Sequence, residues 1–137
     1  MTISSNTLDS PRWWQAPRVW LAALVIYWTV LFVTTHSPND MPIMAGGRVD
    51  KVMHFAAFGL LALLLVRVVQ LRGIRLTTRT LVVLWMVIAV YGVADELLQP
   101  LVGRSCHLYD WLADVVGAAC AIWLYVKFFA VRCAPAS

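Results

Sequence analysis

The stretch VMHFAAFGLLALLLVRVVQL, Val52–Leu71, decides the fold. Leu, Val and Ala fill every face of it without the alternation that a half-buried strand needs. About 20 apolar residues at a rise of about 1.5 Å each cross a hydrocarbon core. In lipid the backbone must satisfy its polar groups within the segment, so the stretch reads as a spanning helix. Val19–Thr35, Thr80–Leu98 and Trp111–Ala130 have the same character. The connections carry the breakers, Ser37-Pro38-Asn39-Asp40-Met41-Pro42 with Gly46-Gly47, Arg72-Gly73-Ile74-Arg75, and Pro100 to Ser105. They are short enough to force antiparallel neighbours. The sequence thus predicts an all-α integral membrane four-helix bundle of antiparallel, up-down transmembrane helices over 19–130. A polar tail over 1–18, with Trp13 and Trp14 at headgroup level, and a second tail over 131–137 flank it.

Composition agrees. Of 137 residues, 61% are apolar and 13% charged, against about 45–50% and about 25% in soluble domains. A soluble core of this length would leave large apolar patches exposed, which excludes a soluble monomer, a disordered chain and a disulfide-rich secreted module. The net charge of +4 comes from basic residues scattered between apolar runs, so nucleic acid is not an expected partner. Arg12 and Arg18 precede the first stretch as in a signal peptide, but no small-x-small site follows and the run is long, so a retained helix is expected. The cysteines, Cys106, Cys120 and Cys133, have no metal or redox spacing.

Orientation follows from the basic residues. Arg12, Arg18, Arg72, Arg75, Arg79, Lys127 and Arg132, with Arg67 able to snorkel, share one side; Arg48, Lys51 and Arg104 share the other. The positive-inside rule then puts both termini in the cytoplasm of a multi-pass protein of the cell membrane.

The acids segregate to the opposite, extracytoplasmic end. Asp50 and His54 are one turn apart at the start of the second helix, Asp95 and Glu96 lie within a turn of Gln99 at the end of the third, and Asp110 and Asp114 open the fourth. Ionisable groups drawn a turn below helix ends point into a bundle and find partners. Asp50, Asp95, Glu96, Asp110 and Asp114 carry −5 and Lys51 and Arg104 carry +2, leaving −3. Protonated carboxylates, charged His54 and His107, or a divalent cation held among Asp95, Glu96, Asp114 and His54 would each reduce it. Gly59, Gly92, Gly117, Ala118 and Ala121 allow the helices that carry these groups to approach closely.

The runs Asp50-Lys51-Val52-Met53-His54-Phe55, Tyr91-Gly92-Val93-Ala94-Asp95-Glu96-Leu97-Leu98-Gln99, Gly103-Arg104-Ser105 and Asp110-Trp111-Leu112-Ala113-Asp114-Val115-Val116-Gly117 resemble, in order and position, the motifs of the VanZ-like membrane proteins. The likeness covers roughly Thr34 to Lys127, with Asp114 standing where the family usually has Asn. The resemblance implies a small polytopic membrane protein whose namesake confers low-level resistance to the glycopeptide teicoplanin, which acts on cell-wall precursors outside the membrane.

Three functions compete. In the first, a pocket between helices two, three and four binds the headgroup of a membrane lipid or lipid-linked precursor. Lys51 and Arg104 would hold phosphate there, and Asp50, His54, Asp95, Glu96, Gln99, Ser105, Asp110 and Asp114 would complete the site. In the second, the same cluster is an enzyme acting on such a lipid, with His54 or Glu96 as base and Asp95 or Asp114 positioning a metal or water, although no established catalytic signature is present. A transporter would need a polar path, and the inner halves of the helices offer only apolar residues and Thr29. A second copy or another membrane protein is an admissible partner.

Overall fold

The computed structural model describes residues 16–37 and 47–130. Among them all regular structure is helical: α1 (Pro17–Thr35), α2 (Arg48–Leu71), α3 (Thr78–Leu98) and α4 (Leu108–Tyr125). A 3₁₀ turn, Gln99–Val102, prolongs α3, and a π-helical turn, Val126–Ala130, prolongs α4. All four are long and apolar enough to cross a membrane. Trp13, Trp14, the 38–46 segment and the 131–137 tail with Cys133 lie outside the described residues.

Each helix starts two to four residues before the apolar stretch that predicts it, at 17, 48, 78 and 108 rather than 19, 52, 80 and 111. The cause is local chemistry that apolar counting ignores. Pro17 sits at the first helical position, where its missing N–H costs nothing. Asp50 and Asp110 lie in first turns, where a carboxylate complements the helix dipole. Thr77 caps α3 by accepting the Thr80 N–H at 3.2 Å. Gly73 and Gly103 close the turns after α2 and after α3 with φ of 77° and 79°, a left-handed conformation that favours glycine.

The bundle is organised around α2. Its Gly59 and Phe55 meet Gly117 of α4, and a Cβ on Gly59 would stand 3.3 Å from the Gly117 carbonyl oxygen. Along this seam the numbering rises together on the two helices, from His54 with Asp114, through Gly59 with Gly117, to Gln70 with Tyr125. Between α1 and α2 and between α3 and α4 it rises on one helix as it falls on the other. Tyr27 of α1 donates to the Ala57 carbonyl at 2.9 Å, while Trp20 lies under the Arg67 guanidinium at 5.4 Å. Trp85 of α3 donates to the Val115 carbonyl and Trp111 of α4 to the Ala89 carbonyl, each at 3.0 Å.

Phe58, Leu61, Ala62, Val66, Ile88 and Ala118 are fully buried, whereas Ile26, Val52, Val90, Leu97 and Trp123 point outward. Large apolar residues facing outward suit a solvent that is itself apolar, where helices associate by close packing and interhelical hydrogen bonds. The same register brings the end of α1, the start of α2, the end of α3 and the start of α4 to one end of the bundle, where the buried polar groups gather.

Candidate functional site

At that end, Asp95, Glu96, Gln99, Asp110, Asp114, His54 and Thr35 are all buried. Their contacts form a network across the four helices. Asp114 is fully enclosed, with Oδ1 2.9 Å from His54 Nδ1. Asp110 Oδ1 accepts from Lys51 Nζ at 3.2 Å. Asp95 Oδ1 accepts from the Thr35 hydroxyl at 2.9 Å and the Tyr91 hydroxyl at 3.3 Å, with His36 Nδ1 3.6 Å away. The Gln99 amide donates at 3.4 Å to both Asp95 and Glu96, as its position one turn beyond them allows. Glu96 Oε2 accepts the His107 backbone N–H at 2.9 Å, which ties the connection before α4 to the end of α3.

Two buried side-chain atoms in this region have no hydrogen-bond partner, Asp114 Oδ2 and His36 Nε2. The first stands against Gly92, where a Cβ would approach Oδ2 to 3.3 Å. Glycine there lets α4 bring its carboxylate up to α3.

Beside the network lies a cavity of about 170 Å³. Thr34, Thr35, Asp50, His54 and Arg104 form its polar part; one turn further along α1 and α2, Leu31, Ala57 and Phe58 form its apolar part. The expectation placed a pocket between helices two, three and four, whereas this cavity opens between α1 and α2. Asp95, Glu96, Gln99, Asp110 and Asp114 are packed among the helices behind it. Lys51 turns to Asp110, whereas Arg104 reaches the cavity and donates to the Thr34 carbonyl at 3.4 Å. Ser105 is exposed beside it.

A second cavity, of about 250 Å³, lies on the α3 and α4 side and is lined by Glu96, Cys106, His107 and Trp111 among others. Local desolvation, followed by the Glu96 carboxylate, pushes the Cys106 thiol up from its ordinary value.

Sequence reasoning missed Thr35, His36 and Tyr91, which surround Asp95. A signal was present: Thr34-Thr35-His36-Ser37 is a polar run closing an apolar helix, and Tyr91 lies one turn before Asp95. Both were overshadowed by the charged residues.

Four helices long and apolar enough to span a membrane, with a buried polar network at one end, fit a multi-pass membrane protein. The family model described as VanZ/LLP1 matches residues 5–130. The chain belongs to this family, over nearly its whole length. Comparison with curated proteins and with solved structures gave no match.

Proposed function

We propose that this VanZ-family protein binds the phosphate-bearing headgroup of a membrane lipid, or of a lipid-linked envelope precursor, at the extracytoplasmic face. The observation that carries this reading is the two-part character of the cavity between α1 and α2. Arg104, Asp50, His54 and two threonines stand at the bundle end, with Leu31, Ala57 and Phe58 one turn deeper. A lipid presents the same sequence of chemistry, a charged headgroup followed by acyl chain. Arg104 suits a phosphate, which it can grip with two N–H groups. Asp50 suits an amine or hydroxyl on the same headgroup.

The orientation is supported by the basic residues. Arg18, Arg72, Arg75, Arg79 and Lys127 lie at the end of the bundle opposite the network, as the positive-inside rule requires if the network faces outward. A role in envelope or glycopeptide-antibiotic response would follow if the ligand is a wall precursor.

Mass spectrometry of lipids retained by the purified protein tests the reading. A phospholipid or a polyprenyl-linked phosphate should be enriched over the bulk membrane extract, and Arg104→Gln should lose that enrichment. Retention of bulk lipid in bulk proportions by both proteins would end it.

A further inference from the structure

We propose that His54, Glu96 and Asp114 form a binding site for one first-row divalent cation of the Zn²⁺ or Mn²⁺ kind, held where α2, α3 and α4 meet. Each residue offers a ligand atom within 4.8 Å of those of the other two. His54 is 7% exposed, Glu96 3% and Asp114 0%. These are three helices contributing one donor each, rather than neighbouring acids on one surface.

A second observation singles out this trio. Asp114 Oδ2 is buried and accepts no hydrogen bond, although its twin Oδ1 is engaged by His54. A carboxylate oxygen left without a donor in an apolar bundle is costly, and a cation removes that cost. Among the described residues, Lys51 with Asp110 is the only lysine or arginine ion pair at this end, and the His54–Asp114 and His36–Asp95 contacts pair charges only when the imidazole is protonated. Neither Glu96 nor Asp114 therefore meets a lysine or arginine, and their combined charge of −2 equals the deficit that one divalent ion fills.

The supports around the trio resemble an outer ligand shell. Glu96 is fixed by the Gln99 amide and the His107 backbone N–H, both neutral donors that orient a carboxylate without neutralising it. Metal–ligand bonds of about 2.0–2.2 Å place tetrahedral ligand atoms about 3.4 Å apart. The donor atoms lie within 4.8 Å of one another, so they need to draw closer by at most about 1.4 Å to reach that spacing. One nitrogen and two carboxylate donors suit zinc or manganese, whereas calcium takes about six to eight oxygens, of which the trio supplies two. The two cavities reach the trio from opposite sides, one at His54 and the other at Glu96, and provide entry and room for water as a further ligand.

Asp50, His54 and Asp110 also place donor atoms within 4.8 Å of one another. That grouping is set aside because Asp110 already holds the Lys51 ammonium at 3.2 Å, and a cation there would face a like charge. The ion site stands apart from the headgroup reading, with which it shares His54.

The test uses the full chain purified in detergent, stripped with chelator and titrated with Zn²⁺ and with Mn²⁺. One ion per chain is expected. Glu96→Gln and Asp114→Asn should each weaken it more than about tenfold, while Arg104→Gln, which disables the proposed phosphate grip, should leave it intact. Cys106→Ser must also keep the ion, because a thiol beside Glu96 is the rival zinc ligand. X-ray absorption at the zinc edge of the wild-type protein should show oxygen neighbours with one imidazole, so the assignment does not depend on the variants folding. Absence of a stoichiometric ion in the wild type, a sulfur neighbour, or equal affinity in Asp114→Asn would overturn the site.

Discussion

Gly117 of α4 lies against the Phe55 backbone of α2 with no space for a side chain. A Cβ added there would overlap the Phe55 carbonyl and stand 2.9 Å from its Cα. The contact lies one turn below Asp114, so the seam that brings these helices together also sets the depth at which Asp114 meets His54.

Gly117→Ala is therefore expected to destabilise the bundle by about 1–3 kcal/mol, the usual range for overpacking against a rigid neighbour. Gly47→Ala, where an added Cβ meets nothing within 4 Å, is the control. Thermal melts in detergent check the pair, and equal melting temperatures would contradict the close approach.

Removing the Lys51 ammonium leaves the buried Asp110 carboxylate without its cation. Lys51→Met should cost about 1 kcal/mol, the low end expected when a buried carboxylate loses its donor, because the lysine side chain is itself 41% exposed. Lys51→Arg should recover most of it. A lysine that binds phosphate instead of Asp110 would show the opposite pattern: unchanged stability with loss of retained lipid.

If the ion site exists, Zn²⁺ at a hundredfold excess over its dissociation constant should stabilise the wild-type fold by about 2.7 kcal/mol. Asp114→Asn should show little of this shift and should melt no lower than the wild type in chelator, since it removes a charge that no lysine or arginine meets there. Differential scanning fluorimetry with and without chelator reads both effects. An equal zinc shift in the two proteins would count against Asp114 as a ligand.

Cys106 lies on the exposed connection before α4 and should react with a membrane-impermeant maleimide in intact cells, while Cys133 should not. Because local desolvation and the Glu96 carboxylate hold the Cys106 thiol up, less thiolate is present at neutral pH, and labelling should accelerate as pH rises. Glu96→Gln should remove part of that lag. Labelling of Cys133 alone would reverse the orientation and place the polar end in the cytoplasm.

The four helices were legible because length and apolar content decide a spanning segment almost unaided. The polar pairs were legible as well: Asp110 with Asp114 and Asp95 with Gln99 are one turn apart, so they had to share helix faces. Which face meets which neighbour was not, since the rotation of one helix about its axis depends on contacts such as Gly59 with Gly117 that no single segment contains. The sequence therefore left Lys51 open between a phosphate and an ion pair with the acids of neighbouring helix ends, and the structure turns it to Asp110. Thr35 escaped notice because a hydroxyl near the end of an apolar helix ordinarily bonds its own backbone, as Thr34 does with Leu31. Thr35 also bonds the Phe32 carbonyl, and its reach across to Asp95 is a tertiary fact.

Three of the bonds that join the helices, from Tyr27 to Ala57, Trp85 to Val115 and Trp111 to Ala89, end on main-chain carbonyls. Every residue type supplies such an acceptor, and a helical carbonyl keeps a second lone pair after serving its own helix. The information in these joints is therefore carried on one side only. Ala57, Ala89 and Val115 can change identity without losing the bond, provided the new side chain fits, whereas Tyr27, Trp85 and Trp111 cannot. A scan of substitutions across this bundle should be lopsided, with tolerance on the receiving helix and loss on the donating one at each joint.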